Sequence, residues 1–271
     1  MKLGIHVQPS TPFKDILKIV NNGGFKAVEI MLHSLELPSN FQEKFKHLVK
    51  DYDLELLIHA PFINIDLASI NPFQRKNSEK KIIKSVEVAK NLGANILTVH
   101  PSHIHNLSLL MYVQRSLLIK NLRKIADFAD QKGVVIGLEN MPKLSYQIID
   151  FLDSVQSVTI CSDLGEFSFI VQSVDRENFG VTFDVGHAFT VGNPLDFLKT
   201  LKDYIVNIHL SDSKKFVHKH LPLGEGEINL KPILQTLKKY RYKGPLVMEL
   251  EKLEDQLNAK RKVEKMLEES F

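Results

Sequence analysis

The 271-residue chain has one cysteine, Cys161, so no internal disulfide framework can staple it, and a reducing cytoplasm is the expected setting. No apolar run approaches the roughly 18 residues that a membrane-spanning helix requires. The first residues, Met1-Lys2-Leu3-Gly4-Ile5-His6, lack the apolar core and small-residue cleavage site of a secretory leader, so none is expected. Arginine is scarce beside lysine, and the formal charge is only +3. That balance permits a phosphate-bearing partner without supplying many forked phosphate clamps. No Gly-x-Gly-x-x-Gly turn follows the first apolar run; Gly23-Gly24 closes the first helix instead, which argues against an open dinucleotide-binding sheet. Linkers, repeats and low-complexity tracts are also missing, and one domain spanning 1–271 is expected.

What is present is a regular alternation. Short apolar runs occur at 3–7, 27–32, 54–60, 95–101, 134–140, 181–187, 205–211 and 245–250. Most are continuously apolar, as strands buried on both faces should be. Helical spacing lies between them, as at 78–92, where Ile82, Ile83, Val86, Ala89 and Leu92 form one stripe and Gly93 marks the stop. Further helices read at 107–131, 194–202, 231–240 and 255–269. The stretch 143–178 is too long for one helix and reads as two, broken near 157–162, with Asp163 capping the second. Eight strand–helix repeats predict a single α/β (β/α)8 TIM barrel.

Active sites of such barrels form at the carboxyl ends of the strands. Here six consecutive strands, the third to the eighth, end in metal-ligand types: His59, His100, Glu139, Asp184 with His187, His209, and Glu249. The loop after strand seven adds His218 and His220. With 11 histidines and 32 acids in 271 residues, six such strand ends in a row arise by chance about once in a thousand. Taken singly, each residue has a structural alternative. His59 and His100 can cap strands, Glu139 and Glu249 can pair with buried lysines, Asp184-x-x-His187 can form a turn, His209 can be a satisfied core histidine, and His218-Lys219-His220 can be a polar loop. Their shared location favours a cation, because buried carboxylates gathered at one barrel mouth need one. The imidazole–carboxylate mixture suits zinc, with manganese or iron also compatible, and nine candidates exceed the four ligands of one tetrahedral ion. Two or three Zn2+ ions are therefore expected.

These residues stand in blocks that resemble the xylose isomerase-like TIM barrel superfamily (AP endonuclease family 2), and within it the endonuclease IV branch. The blocks are His59-Ala60-Pro61-Phe62, Val99-His100-Pro101, Leu138-Glu139-Asn140, Phe183-Asp184-Val185-Gly186-His187, His209-Leu210-Ser211-Asp212-Ser213-Lys214 and Leu223-Gly224-Glu225-Gly226-Glu227-Ile228. The resemblance implies that His59 and His100 hold one ion and that Glu139 bridges it to a second. It implies that Asp184, His209 and Glu249 complete the second site, and that His187, His218 and His220 hold a third. Four departures stand out. His218 occupies a position where the branch usually has aspartate, Met141-Pro142-Lys143 replaces a glycine-rich segment, and Phe62 stands where tyrosine is common. The loop after strand two, Met31-Leu32-His33-Ser34-Leu35-Glu36, carries no arginine or glutamine cluster with which to grasp DNA.

Two enzymatic functions fit this ligand set. Phosphate-ester hydrolysis, as on abasic-site DNA, uses several ions and gives work to all the histidines. Isomerisation or epimerisation of a sugar or sugar phosphate needs one metal and two flanking bases, roles that Glu139, Asp184, His209 and Glu249 fill alone. The histidine surplus tilts the reading to hydrolysis, with Glu139 and Glu249 as the catalytic carboxylates and His6 and Lys214 as weaker substrate contacts. A barrel that binds metal or ligand without turnover is the non-enzymatic alternative.

Overall fold

A computed structural model describes residues 1–35, 37, 40–102, 106–107, 110–142, 157–215 and 217–269, with only the backbone described at 106–107, 157–158 and 217–218. The amino-terminal half contains β1 (Lys2–Val7), α1 (Phe13–Gly23), β2 (Ala27–Met31), α2 (Phe41–Asp51), β3 (Glu55–His59), α3 (Pro72–Leu92), β4 (Ile96–Val99), β5 (Asn106–Leu107) and α4 (Met111–Asp130). There follow β6 (Val135–Glu139), β7 (Ser157–Val158), α5 (Leu164–Val174), β8 (Phe179–Asp184), α6 (Val185–Val191) and α7 (Pro194–Leu201). The chain continues through β9 (Ile205–Leu210), β10 (Asp212–Lys214), β11 (Val217–Leu221), α8 (Leu230–Lys239), β12 (Pro245–Met248) and α9 (Leu253–Glu268).

Eight strands close a parallel barrel in the order β1-β12-β9-β8-β6-β4-β3-β2, which is the (β/α)8 TIM barrel expected from the alternation. The helices begin and end where local chemistry requires it. Asn71 accepts from the backbone N–H groups of Phe73 and Gln74 ahead of Pro72, and Gly93 ends α3 with φ 85°. Asp163 accepts from Glu166 N at the start of α5, as its position predicts, whereas the helix expected earlier in 143–156 lies outside the described residues.

Two small additions were not legible as strands. β5 pairs antiparallel with β7, and β10 with β11. The second hairpin occupies the segment read as a loop after the seventh barrel strand. It is pinned by Asp212, whose carboxylate accepts from Ser213 N (2.9 Å), Ile228 N (3.1 Å) and Gly224 N (2.8 Å). Gly224 adopts φ +90°, and a Cβ on Gly226 would lie 2.2 Å from Asp212 Oδ1. The glycine-rich block is thus explained by close approach to one buried carboxylate.

Alternate strand positions face the barrel axis and stack in layers. At the amino end an apolar plug joins Ala27, Leu57 and Ile96, with Val135 and Val206 against it. Two residues further along, a polar layer contains Glu29, Thr98, Thr182 and Asn207. The next positions along the strands carry the histidines and acids of the carboxyl mouth. A bulge between Val181 and Thr182, where Asn207 rather than Val206 pairs, resets β9 so that Asn207 and His209 point inward. The larger core lies between the barrel and its helices, including Ile58, Val86, Leu122, Phe167, Phe183 and Val263.

Candidate metal centre

The strand ends deliver the donors. His59 and Glu139 are the last residues of β3 and β6; His100 and Glu249 are the residues immediately after β4 and β12. Asp184 closes β8 and also caps α6, its Oδ1 accepting from His187 N, which sets His187 one helical turn above it. The turn that Asp184-x-x-His187 offered as a structural alternative is therefore the first turn of a short helix. His209 lies near the end of β9, and His220 reaches in from β11.

These side chains form three overlapping groups: His59, His100 and Glu139; Glu139, Asp184, His209 and Glu249; and Asp184, His187 and His220. Within each, one donor atom per residue lies within 4.8 Å of the others. Eight of the nine expected ligands are brought together in this way; the side chain of the ninth, His218, lies outside the described residues. Glu139 is shared by the first two groups. Its Oε2 lies 3.2 Å from His59 Nε2 and 2.9 Å from His100 Nε2, while Oε1 lies 3.3 Å from His187 Nδ1 and 3.4 Å from His209 Nδ1. Asp184 is shared by the second and third groups.

Burial and charge make a cation the natural occupant. His59, Glu139, Asp184 and His209 are fully buried, and no lysine or arginine is paired with any of them among the described residues. Glu139 Oε1, Asp184 Oδ2, His209 Nδ1 and Glu249 Oε2 are buried without a directed hydrogen bond although they crowd one another; His209 Nδ1 is 2.9 Å from Glu249 Oε2. Buried polar atoms left in this condition are costly unless a shared ion satisfies them.

The electrostatics follow. Burial raises the Glu139 carboxyl, but His100 and His209 outweigh it and hold the group well below the usual range. Burial likewise opposes ionisation of Glu249, which His209 and His220 reverse. Asp184 goes the other way, pushed well up by burial and by the negative charge of Glu249 and Glu139. Burial lowers His209, yet Glu249, Glu29 and Glu139 carry it well above the ordinary histidine value. The residues therefore compete for protons, since no lysine or arginine among the described residues pairs with their negative charge. A divalent ion at each group would satisfy the same demand, so the donor set fits zinc or a metal of similar preference.

Surrounding contacts choose the ring nitrogens. A backbone carbonyl only accepts, so His59 Nδ1–H donates to Ala60 O (2.8 Å), His187 Nδ1–H to Asn140 O (2.9 Å) and His220 Nδ1–H to Glu249 O (3.2 Å). Each turns Nε2 toward the donor group as the nitrogen that would meet a metal, the arrangement that orients ligating histidines. Asn140 does more: its side chain donates to Asp184 O and accepts from Asp184 N, so one amide registers β6 against β8 at the site. Phe62 packs its ring on His100 at 5.0 Å between centroids.

Beside His220 and Glu249 a cavity of about 650 Å³ opens, lined also by His6, Gln8, Thr11 and Lys219. His6 therefore lines the cavity beside the donor groups. Lys214 is exposed at the end of β10 and belongs to neither the donor groups nor this lining. Sequence reasoning missed Glu29, fully buried in mid-strand with Oε2 2.7 Å from His209 Nε2. Its one local signal is a carboxylate inside the apolar run Ala27-Val28-Glu29-Ile30. Burial opposes its ionisation, but His209 and His6 hold it well below the usual carboxylate range.

A closed parallel barrel with imidazole–carboxylate clusters at its carboxyl mouth defines the class as a TIM barrel with a candidate metal centre. The profile of the xylose isomerase-like TIM barrel family matches residues 17–269, and the chain belongs to that family. An uncharacterised protein of Methanocaldococcus jannaschii is 33% identical over 90% of this chain and 81% of its own length. A probable endonuclease 4 of Mesomycoplasma hyopneumoniae is 30% identical over 73% of this chain and 69% of its own length. Among solved structures, a D-tagatose 3-epimerase-like protein superposes with a TM-score of 0.86 at 29% identity, covering 99% of this chain and 97% of that one. An L-ribulose 3-epimerase superposes at 0.80 with 14% identity over 99% and 95% of the two chains, a likeness of fold. No helix among the described residues is long and apolar enough to cross a membrane.

Proposed function

We propose that this protein is a metal-dependent phosphoesterase carrying two or three divalent ions, zinc by donor type, with abasic-site DNA or another phosphate ester as substrate. The observation that carries the reading is the sharing of carboxylates, Glu139 between the first two donor groups and Asp184 between the last two. Contiguous ions held in this way are what in-line displacement at phosphorus uses. When bound, they supply an activated water and neutralise the charge of the attacking and leaving oxygens.

The chain's own residues do the remaining work. Glu139 directs one oxygen to each neighbouring group. The carbonyls of Ala60, Asn140 and Glu249 hold three imidazoles in one tautomer. Lys219 and His6 line the cavity and present hydrogen-bond donors to an anionic ester. The resemblance to the probable endonuclease 4 supports the same reaction class.

A second reading has its own observation. Glu139, Asp184, His209 and Glu249 alone form a four-residue, one-ion group. With that group, the two glutamates would move a proton on opposite faces of a sugar, as an isomerase or epimerase requires. It gives no role to His59, His100, His187 and His220.

The test pairs metal content with parallel assays. Protein purified without chelator is analysed for zinc and manganese, then assayed on abasic-site duplex DNA, a chromogenic phosphodiester and a panel of ketoses. Two or three ions with chelator-sensitive ester cleavage support the proposal. One ion with ketose epimerisation and no cleavage overturns it in favour of the second reading.

A further inference from the structure

We propose that Glu29 is a positioning residue for the metal centre: from the layer beneath the donors it holds His209 so that this histidine alone, among those with a defined ring contact, ligates through Nδ1. The inference rests on the reading of His209 as a metal ligand. His59, His187 and His220 direct Nδ1 at a backbone carbonyl. His209 is reversed. Its Nδ1 faces Glu249 Oε2 and Glu139 Oε1, and its Nε2 faces Glu29 Oε2 at 2.7 Å.

A neutral imidazole with a metal on Nδ1 carries its proton on Nε2, and the nearest acceptor for that proton is Glu29 Oε2. Asn207 Nδ2 also lies 3.2 Å from His209 Nε2, which would suit the opposite tautomer. Metal on Nδ1 excludes that arrangement, and the Asn207 amide then has Glu29 Oε1 (3.2 Å) and Thr98 Oγ1 (3.4 Å) as acceptors. The Glu29–His209 contact is short but poorly aligned, so Oε2 has no directed hydrogen bond. Its hold on the ring comes from charge at close range.

Glu29 is itself held rigidly. Its Oε1 accepts from Thr98 Oγ1 at 2.9 Å, and Thr98 Oγ1 lies 3.0 Å from Thr182 Oγ1. Side chains from β2, β4, β8 and β9 thus meet at the barrel axis. A fully buried carboxylate with no lysine or arginine paired to it among the described residues is costly to keep for packing alone. A carboxylate opposite the distal nitrogen of a ligating histidine fixes the ring, selects the tautomer and makes the imidazole a stronger donor.

The experiment uses the full-length protein and zinc. Zinc affinity is measured by competition with a chromogenic chelator for the unsubstituted chain, Glu29→Gln and His209→Asn. Glutamine keeps the size of the side chain and removes its charge. Glu29→Gln is expected to weaken one ion about 10- to 100-fold and leave the others unchanged, and to shift the visible bands of the cobalt-substituted protein. If His209→Asn loses an ion while Glu29→Gln binds all ions as before, the positioning proposal is overturned and the ligand reading stands. If His209→Asn loses none, the ligand reading fails and takes the proposal with it. Should Glu29→Gln fail to fold, 15N-histidine NMR of the unsubstituted zinc-loaded protein decides. A metal-bound His209 protonated on Nε2 supports the proposal, and protonation on Nδ1 overturns it.

Discussion

Replacing Glu139 by glutamine should remove stability conferred by two ions at once, because this carboxylate belongs to two donor groups. An ion held at 100 times its dissociation constant stabilises the folded chain by about 2.7 kcal/mol, and a site weakened 100-fold under the same conditions retains only about 0.4 kcal/mol. At ~2.1 cal/mol/K per residue the unfolding entropy of 271 residues is about 0.6 kcal/mol per degree. Each weakened ion therefore subtracts roughly 4 °C from the zinc-dependent rise in Tm, and Glu139→Gln about 8 °C. His187→Asn, in one group only, should subtract about half as much. The assay is differential scanning calorimetry of each variant with buffered zinc and with chelator. Taking the difference cancels any change in the metal-free baseline. A Glu139→Gln variant with the full zinc-dependent rise and full metal content would refute the bridging role.

The zinc-dependent rise should also grow with pH. His59 and His209 are held above the ordinary histidine value, so their stabilisation of the chelated protein is complete below the unfolded value of 6.5 and lost as pH climbs through the raised one. Asp184, raised well above 3.8, likewise loses its contribution as pH climbs from that value through the raised one, while Glu139 and Glu249, lowered below 4.5, lose theirs as pH falls into the acid range. Chelated protein should thus be most stable in mildly acidic buffer, whereas zinc, which needs unprotonated imidazoles, binds better as pH rises. Melting with and without chelator from about pH 5 to pH 9 checks this, and a rise that shrinks over that range contradicts it. Gly226→Ala should cost about 1–3 kcal/mol, because its Cβ would meet Asp212 Oδ1 at 2.2 Å and Ser213 O at 2.5 Å. An unchanged Tm at fixed zinc would show that the hairpin gives way without cost.

The barrel, and the gathering of most candidate donors at its mouth, were readable from sequence because they depend on local order. Strands buried on both faces leave continuous apolar runs, and the residue ending each run must lie at the carboxyl mouth once the barrel closes. His59, Glu139 and Asp184 end β3, β6 and β8 as expected, and Gly93 and Asp163 bound their helices through contacts a few residues long. The hairpin of β10 and β11 was not readable, since its anchor is Asp212 reaching 16 residues forward to Ile228. The short helix after β8 was not readable, since Asp184 suits a turn or a helix cap equally well, and its contact with His187 N decides for the cap.

Which nitrogen each histidine presents, which carboxylates are shared and what supports them were settled by tertiary structure alone. Glu29 meets Asn207 across 178 residues of sequence, and neither residue lies at a strand end where chemistry would be sought. Only closure of the barrel brings β2 to β9 across the axis. Sequence order specifies which side chain occupies each level of the barrel. Contact between levels and across the axis depends on the tilt, stagger and bulge of eight strands taken together, quantities that no local stretch of the chain contains.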